Sequence, residues 1–450
     1  MVILRKRLLC CMILTAMVCF PVGMPTAAAS EATQSSPLIE TTDESAVVRA
    51  ARWREDIQYL SQTLPTLHID LYFSLSEEEF QSGLAGIAES ADEMSDVEIY
   101  VALARQIARI GDSHTRIAPR LNLRVVPVQF MQFADGIYPV AWSSRYSGMR
   151  GARLVGVGDT PIAEVYEALA ALIPHDNQAQ LAQAVPGMLN NYDLLVALGI
   201  IEDGSSVPYR FETGEGGIES VDVELEPLEG IDFALAFHPQ EDALPLYMSR
   251  QDWFWQQYLD EEQVLYMAYN VCWDQETEKV FFPDSARLPY LPDFSAFTEE
   301  VFGTLDARPV KAMVIDLRLN GGGNSALGTQ FVEALAEHPK IKNGMQVYGI
   351  IGRNTFSSAI INAFDLKRVL KSPLYGEATA GKPNHHGEVR TFELPHSKWT
   401  VQYSTKYFRF VAEEVDSLYP DVTVEASFED YVTGRDPVLE RLLEDVLSHS

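Results

Sequence analysis

One stretch constrains this chain more than any other: Val314-Ile315-Asp316-Leu317-Arg318-Leu319-Asn320-Gly321-Gly322-Gly323-Asn324. A short apolar run bounded by turn residues reads as a buried strand. It opens directly into three glycines ahead of a helical pattern. Glycines let a ligand come close to the backbone, and the N–H groups at a helix start point outward. Such a turn suits a phosphate or a developing oxyanion. A phosphate loop needs a lysine and a hydroxyl directly after its glycines, and neither follows here. An oxyanion site remains.

The same alternation extends to both sides. Strands at 264–271, 312–317 and 346–351 alternate with helices at 294–305, 326–336 and 357–370, and a closing helix covers 437–447. This pattern argues for an α/β core. Gly352-Arg353-Asn354-Thr355-Phe356-Ser357-Ser358-Ala359 places two serines at a helix start, where the dipole and free amides favour negative charge. The position suits a plain N-cap serine equally well. A third cluster, from Gly376 to Glu388, is dense in polar and turn residues. His385, His386 and Glu388 find no further ligand at a diagnostic spacing, so no metal and no cofactor are expected.

Upstream the pattern is helical. Trp53, Ile57, Leu60 and Leu64 recur at helical spacing up to Pro65. Ser76 with Glu79, and Ser95 with Glu98, are capping boxes that open two more helices. The last of these stops at Gly111, just before Asp112-Ser113-His114-Thr115. From about 121 short strands take over, at 123–130, 136–142, 151–157 and 209–225, with one helix at 162–172. This region resembles a PDZ-type module, although its usual carboxylate-binding loop is not recognisable, and an inserted β domain with only a packing role fits as well.

Together the three clusters resemble the tail-specific (carboxy-terminal processing) serine peptidases, including their tricorn-core-like branch. The match runs from about Tyr266 to Leu443, with an N-terminal echo around His114. The glycine run is similar to the family's oxyanion-hole strand, Thr355-Phe356-Ser357-Ser358-Ala359 to its nucleophile turn, Gly376-Glu377-x-Thr-x-Gly381 to the following turn, and Tyr419-Pro420-Asp421-Val422 to its Pro-Asp signature. The resemblance implies a crotonase-like or Clp-protease-like α/β core. The expected layout is a helical region at 45–120, the PDZ-like module at 121–240 and a catalytic domain at 253–447. Ser357 becomes the nucleophile, and the amides of Gly322 and Ser358 the oxyanion hole.

The family uses two kinds of base, and residues for both are present. In the dyad branch a lysine follows a glycine 25 positions after the serine, which is Lys382 after Gly381. In the triad branch the histidine lies in an Asp-x-His-Thr motif, matched by His114, and a glutamate precedes the Pro-Asp signature. Glu414 fits that position best, with Glu413 and Asp416 as near misses. A histidine already suits proton transfer near neutral pH, whereas a lysine must first lose basicity through burial. The dyad enzymes usually carry a glutamate three residues after the serine, where this chain has Ile360. The expected site is therefore Ser357, His114 and Glu414, with Lys382 as the alternative base.

Composition narrows the setting. Arg5, Lys6 and Arg7, an apolar run at 8–20 and Ala27-Ala28-Ala29 have the form of a secretory signal peptide cut near Ala29. A polar leader at 30–44 follows. The run is too short to cross a bilayer, and no later segment is long and apolar enough. Export would remove three of the four cysteines and leave Cys272 in the apolar stretch 269–273, as a structural thiol. A formal charge of −30 disfavours nucleic acid as a partner. The expected protein is a secreted, extracellular or periplasmic, serine endopeptidase acting on polypeptides. Its rivals are a non-catalytic peptide or ligand binder on the same fold and an esterase with the same triad.

Overall fold

Strands Val264–Tyr269 and Ala312–Asp316 are buried at every position, and their side chains alternate between two hydrophobic clusters. Leu265, Met267, Tyr269, Met313 and Ile315 enter one; Val264, Tyr266, Ala268, Ala312 and Val314 enter the other. A period of two with both faces apolar is what a sheet covered on both sides demands. The sheet has six strands, in the order Val422–Thr423, Leu374–Gly376, Gln346–Ile351, Ala312–Asp316, Val264–Tyr269, Phe254–Leu259. All neighbours are parallel except the last pair, where Phe254–Leu259 turns back antiparallel as an edge. Residues of Phe294–Ala307, Ser325–Glu337 and Ser358–Leu370 fill the first cluster, and Pro437–Ser448 closes the second. The expected α/β alternation is thus present.

The computed structural model describes residues 46–214, 216–236 and 244–448. The expected signal peptide at 1–29 and leader at 30–44 lie outside the described residues. The chain divides into two compact units. The sheet just described belongs to one, made of 244–383 and 410–448. The other consists of 46–236 together with 384–409.

In that other unit the capping boxes fall where expected. Ser76 and Ser95 each accept from the amide three residues on, and Glu79 and Glu98 bond back, starting helices Glu77–Ser90 and Asp96–Ala108. The first helix, Ala46–Leu67, runs past Pro65 rather than ending there. Proline removes the bond to the carbonyl four residues earlier, Ser61. Gln81 Nε2 supplies a replacement donor to Ser61 O at 3.1 Å, so the last turn survives.

Beyond 121 two antiparallel sheets form. One contains Val128–Phe133, Gly136–Ser143 and Phe233–Leu235; the other contains Thr160–Pro161, Arg153–Val157, Ser206–Glu212 and Ile218–Glu224. The strand expected at 123–130 starts only at Val128. Helices Gln178–Ala184 and Tyr192–Ala197 join Ile162–Ala170, so this part holds more helix than its pattern suggested. A third sheet is assembled from distant pieces. Arg116–Ala118 pairs with Thr400–Phe408, which pairs with His385–Glu393.

Candidate active site

In the sheet-bearing unit, Ala312–Asp316 delivers the glycine turn and Gln346–Ile351 delivers the serine turn. Side chains and backbone lock the two turns together. Thr355 Oγ1 donates to Leu317 O at 2.8 Å and accepts from Gly352 N at 3.0 Å. Phe356 N donates to Asn320 O at 3.0 Å. Asn320 is fully buried; its Nδ2 donates to Tyr269 O at 2.7 Å and its Oδ1 accepts from Gly322 N at 2.9 Å. Asn320 thus pins the oxyanion strand to its neighbours, a role that its place in a turn motif did not announce.

Ser357 sits at the N-cap of Ser358–Leu370 with φ 52° and ψ −124°, and its side chain makes no cap bond. That backbone region is costly for any residue with a Cβ, by about 1–3 kcal/mol, and persists only where the surroundings enforce it. A capping serine would be in the extended region with its oxygen on the helix amides. Ser357 is therefore not an N-cap serine of that kind. It holds its hydroxyl off the helix, beside the glycine turn. A Cβ placed on Gly322, whose φ is 104°, would lie 2.9 Å from Ser357 Cβ and 3.1 Å from Ser358 N. Only glycine allows that approach.

The expected oxyanion donors divide. Among the described residues Ser358 N–H donates to no protein acceptor, as the first amide of a helix should. Gly322 N–H is committed to Asn320. Its neighbour Gly323 is exposed, with φ 134°, and its N–H has no protein acceptor among the described residues. Gly322 O accepts from Cys272 N at 3.1 Å. In a planar trans peptide the next N–H points the opposite way, so Gly323 N–H faces away from Cys272. Of the two glycine amides, that of Gly323 is thus the one left open, one residue beyond the Gly322 amide expected from the sequence.

Three other residues of this unit complete the account. Lys382 is partly exposed. Its loop is tied to the serine turn by Ala380 N donating to Thr355 O at 3.0 Å, and Gly381 packs on Phe356 and Ile360. Glu414 is exposed, as are Glu413 and Asp416, and Asp416 accepts from Tyr419 Oη at 2.9 Å. Cys272 is buried. Its thiol faces Asn320 Oδ1 and Asn362 Oδ1 at 3.3 and 3.4 Å, and burial pushes it up to about 12. A thiol held so far from ionisation is inert as a nucleophile.

His114 belongs to the other unit, where side chains do the positioning. It follows helix Asp96–Ala108 and precedes strand Arg116–Ala118. Asp112 Oδ1 accepts from His114 N at 2.9 Å, and Asp112 Oδ2 accepts from Thr115 Oγ1 at 2.5 Å and meets His68 Nε2 at 3.0 Å. His68 Nδ1 accepts from Asp70 N at 3.0 Å, so the proton sits on Nε2 and points to Asp112. Burial works to raise the Asp112 carboxyl, but the bond from His68, the nearby His114 and Thr115 outweigh it and hold the group well below the usual range. Gln402 Nε2, from the returning hairpin, donates to His114 O at 2.8 Å, and the rings of His114 and His385 stack at 5.6 Å. Burial first, then His385, push the His114 ring down to about 3 against the pull of Asp112. Near neutral pH the ring is therefore uncharged.

Among the described residues no group of histidine, cysteine or acidic side chains has the arrangement of a metal site.

No protein-family model matches the chain, and no curated protein matches it in sequence. Solved structures do match. Mature CPAF complexed with lactacystin is similar at 14% identity and a TM-score of 0.62, over 89% of this chain and 99% of that one. Mature CPAF by itself matches at 13% identity and a TM-score of 0.60, over 89% and 97%. The photosystem II D1 C-terminal processing protease also matches, at 13% identity and a TM-score of 0.34, over 87% and 98%. The fold of this chain is thus similar to that of mature CPAF.

Proposed function

We propose that this protein is a serine peptidase that cleaves polypeptides through an acyl-enzyme on Ser357. The observation that carries this reading is the Ser357 backbone: a strained residue at a helix start, its hydroxyl off the cap, pressed against a glycine turn. A binding protein has no use for that strain. Ser357 Oγ attacks the scissile carbonyl carbon and its proton passes to His114. The tetrahedral oxyanion takes hydrogen bonds from the amides of Ser358 and Gly323, the latter in place of Gly322. His114 then gives the proton to the departing amine, and water cleaves the ester by the same steps reversed.

Motif order nominates Glu414 for the position of the orienting carboxylate, and Lys382 is the alternative base. The rest of the layout follows the same reading: residues 121–240 as a PDZ-like module, 253–447 as the catalytic domain, and export after cleavage near Ala29. The fold likeness to mature CPAF supports the peptidase class.

The test is incubation of the chain lacking residues 1–29 with casein and with a serine-directed phosphonate, followed by mass spectrometry of the adduct. Labelling on Ser357 together with cleavage supports the reading. A protein that is neither labelled nor active on peptides or esters would leave the binder as the better hypothesis.

A further inference from the structure

A neutral imidazole carries a single N–H, so the catalytic value of His114 depends on which ring nitrogen holds it. The nitrogen that receives the serine proton must start bare. Three side chains of the same unit bear on this. Ser113 Oγ lies 2.8 Å from Asp176 Oδ2 and 3.3 Å from His114 Nδ1. A serine hydroxyl has one proton to give. An ionised carboxylate can only accept, so that proton goes to Asp176. The contact between Ser113 Oγ and His114 Nδ1 then holds together only if the ring nitrogen is the donor.

We infer that Asp176, acting through the Ser113 hydroxyl, fixes His114 in the Nδ1–H tautomer and so leaves Nε2 as the basic nitrogen. Asp176 and Ser113 are positioning residues; neither touches the reacting atoms. The ring's neutrality across the working pH range is what makes the tautomer matter.

The local fold holds Asp176 in place for this task. It lies between helices Ile162–Ala170 and Gln178–Ala184. Asn177 caps the second helix by accepting from Gln180 N at 2.9 Å, and Gln180 Oε1 accepts from Asp176 N at 2.9 Å. Both ends of this turn are therefore bonded, and the carboxylate is presented from a fixed backbone. Ser113 is buried, and its neighbours Asp112 and His114 are joined by the bond from His114 N to Asp112 Oδ1, so the hydroxyl has little freedom to turn elsewhere. Glu414, the carboxylate nominated by motif order, lies exposed in the other unit.

The inference deepens the reading of His114 as base, so its test includes a readout that needs no turnover. The chain lacking residues 1–29 is labelled with ¹⁵N-histidine, and the His114 ring signals are assigned by their absence in His114→Ala. In the wild type the bare nitrogen should be Nε2. In Asp176→Asn and Ser113→Ala the ring should become a mixture of tautomers or reverse, and Ser113→Thr should restore the Nδ1–H form. In Glu414→Gln it should not change. With a peptide substrate, Asp176→Asn should lower kcat on the order of 10²-fold, a share of what general-base catalysis is worth, with KM within about twofold. Retention of the Nδ1–H form in both Asp176→Asn and Ser113→Ala, each shown folded by its thermal transition, overturns the inference. So does a tautomer that changes in Glu414→Gln instead. A protein without peptidase activity that still shows the expected tautomer changes would refute the function and keep the relay.

Discussion

The two units fix their functional groups by opposite means. Around Ser357 unusual backbone carries the geometry, with three residues at positive φ and amides left open at a helix start, while Thr355 and Asn320 side chains tie the turns together. Even one added carbon is too much there, since a Cβ on Gly323 would lie 2.2 Å from Cys272 O. Around His114 side chains carry most of the constraints, from Asp112, His68 and Thr115 to Ser113, Asp176 and Gln402, beside one backbone bond from Thr115 N to Asp112 O. A site built from backbone is insensitive to pH and intolerant of bulk. A site built from ionisable side chains is the reverse.

The largest effect should come from the backbone-built half. Ser357→Ala should reduce kcat on peptides on the order of 10⁶-fold while its thermal transition stays the same or rises. Next, His114→Ala should cost about 10⁴-fold in kcat, against less than about tenfold for Lys382→Ala. Parallel kinetics on the two variants decide it; a dead lysine variant beside an active histidine variant would remove the chemistry from the side-chain-built half and break the comparison.

A third test asks whether the backbone-built half also leans on side chains. Arg318, mostly but not fully buried, lies between the buried Asp316 and Asp436 at 2.8 Å from each. Burial opposes its charge, and the two carboxylates more than offset this, keeping the guanidinium well above its ordinary value. Arg318→Met leaves two buried carboxylates facing each other and should cost about 3–5 kcal/mol in urea unfolding.

The fourth concerns pH. His114 falls from 6.5 unfolded to about 3 folded, so between those values the unfolded chain binds more protons. Asp112, held below 3.8, acts in the same direction at lower pH. Stability should therefore be fully present above about pH 6.5 and drain away as the pH falls toward 3. Calorimetry on wild type and His114→Asn should show a shallower acid loss in the variant; identical curves would mean that the ring is not held neutral. The smallest effect is Ser357→Gly, which should raise stability by about 1 kcal/mol by releasing the strained φ, at the expense of all activity.

What the sequence revealed follows the same division. Capping boxes at Ser76 and Ser95 are local, with donor and acceptor three residues apart, so spacing alone disclosed them. The glycine turn was legible because positive φ favours glycine, whereas Ser357 was singled out only by the resemblance of its turn to a known motif. That Asn320 engages the Gly322 amide was not legible, because only the structure shows which groups meet inside the turn. The surroundings of His114 were hidden for a different reason: Gln402 and His385 come from a hairpin nearly three hundred residues away, and nothing in the local pattern marks such a pairing. Pro65 looked like a helix stop because Gln81, its remedy, lies on another helix.

That hairpin has a consequence for how the protein is made. Arg116 pairs with Gln402, a separation of 286 residues. The segment 384–409 completes the histidine unit, yet the chain returns afterwards to finish the other unit with 410–448. During synthesis, domains ordinarily fold from the N-terminus onward as they emerge. Here neither unit is complete until residues 384–448 have been made, so shorter nascent fragments would hold an incomplete histidine cluster and an unfinished sheet. A chain wired in this way folds slowly, because long loops must close before their contacts count.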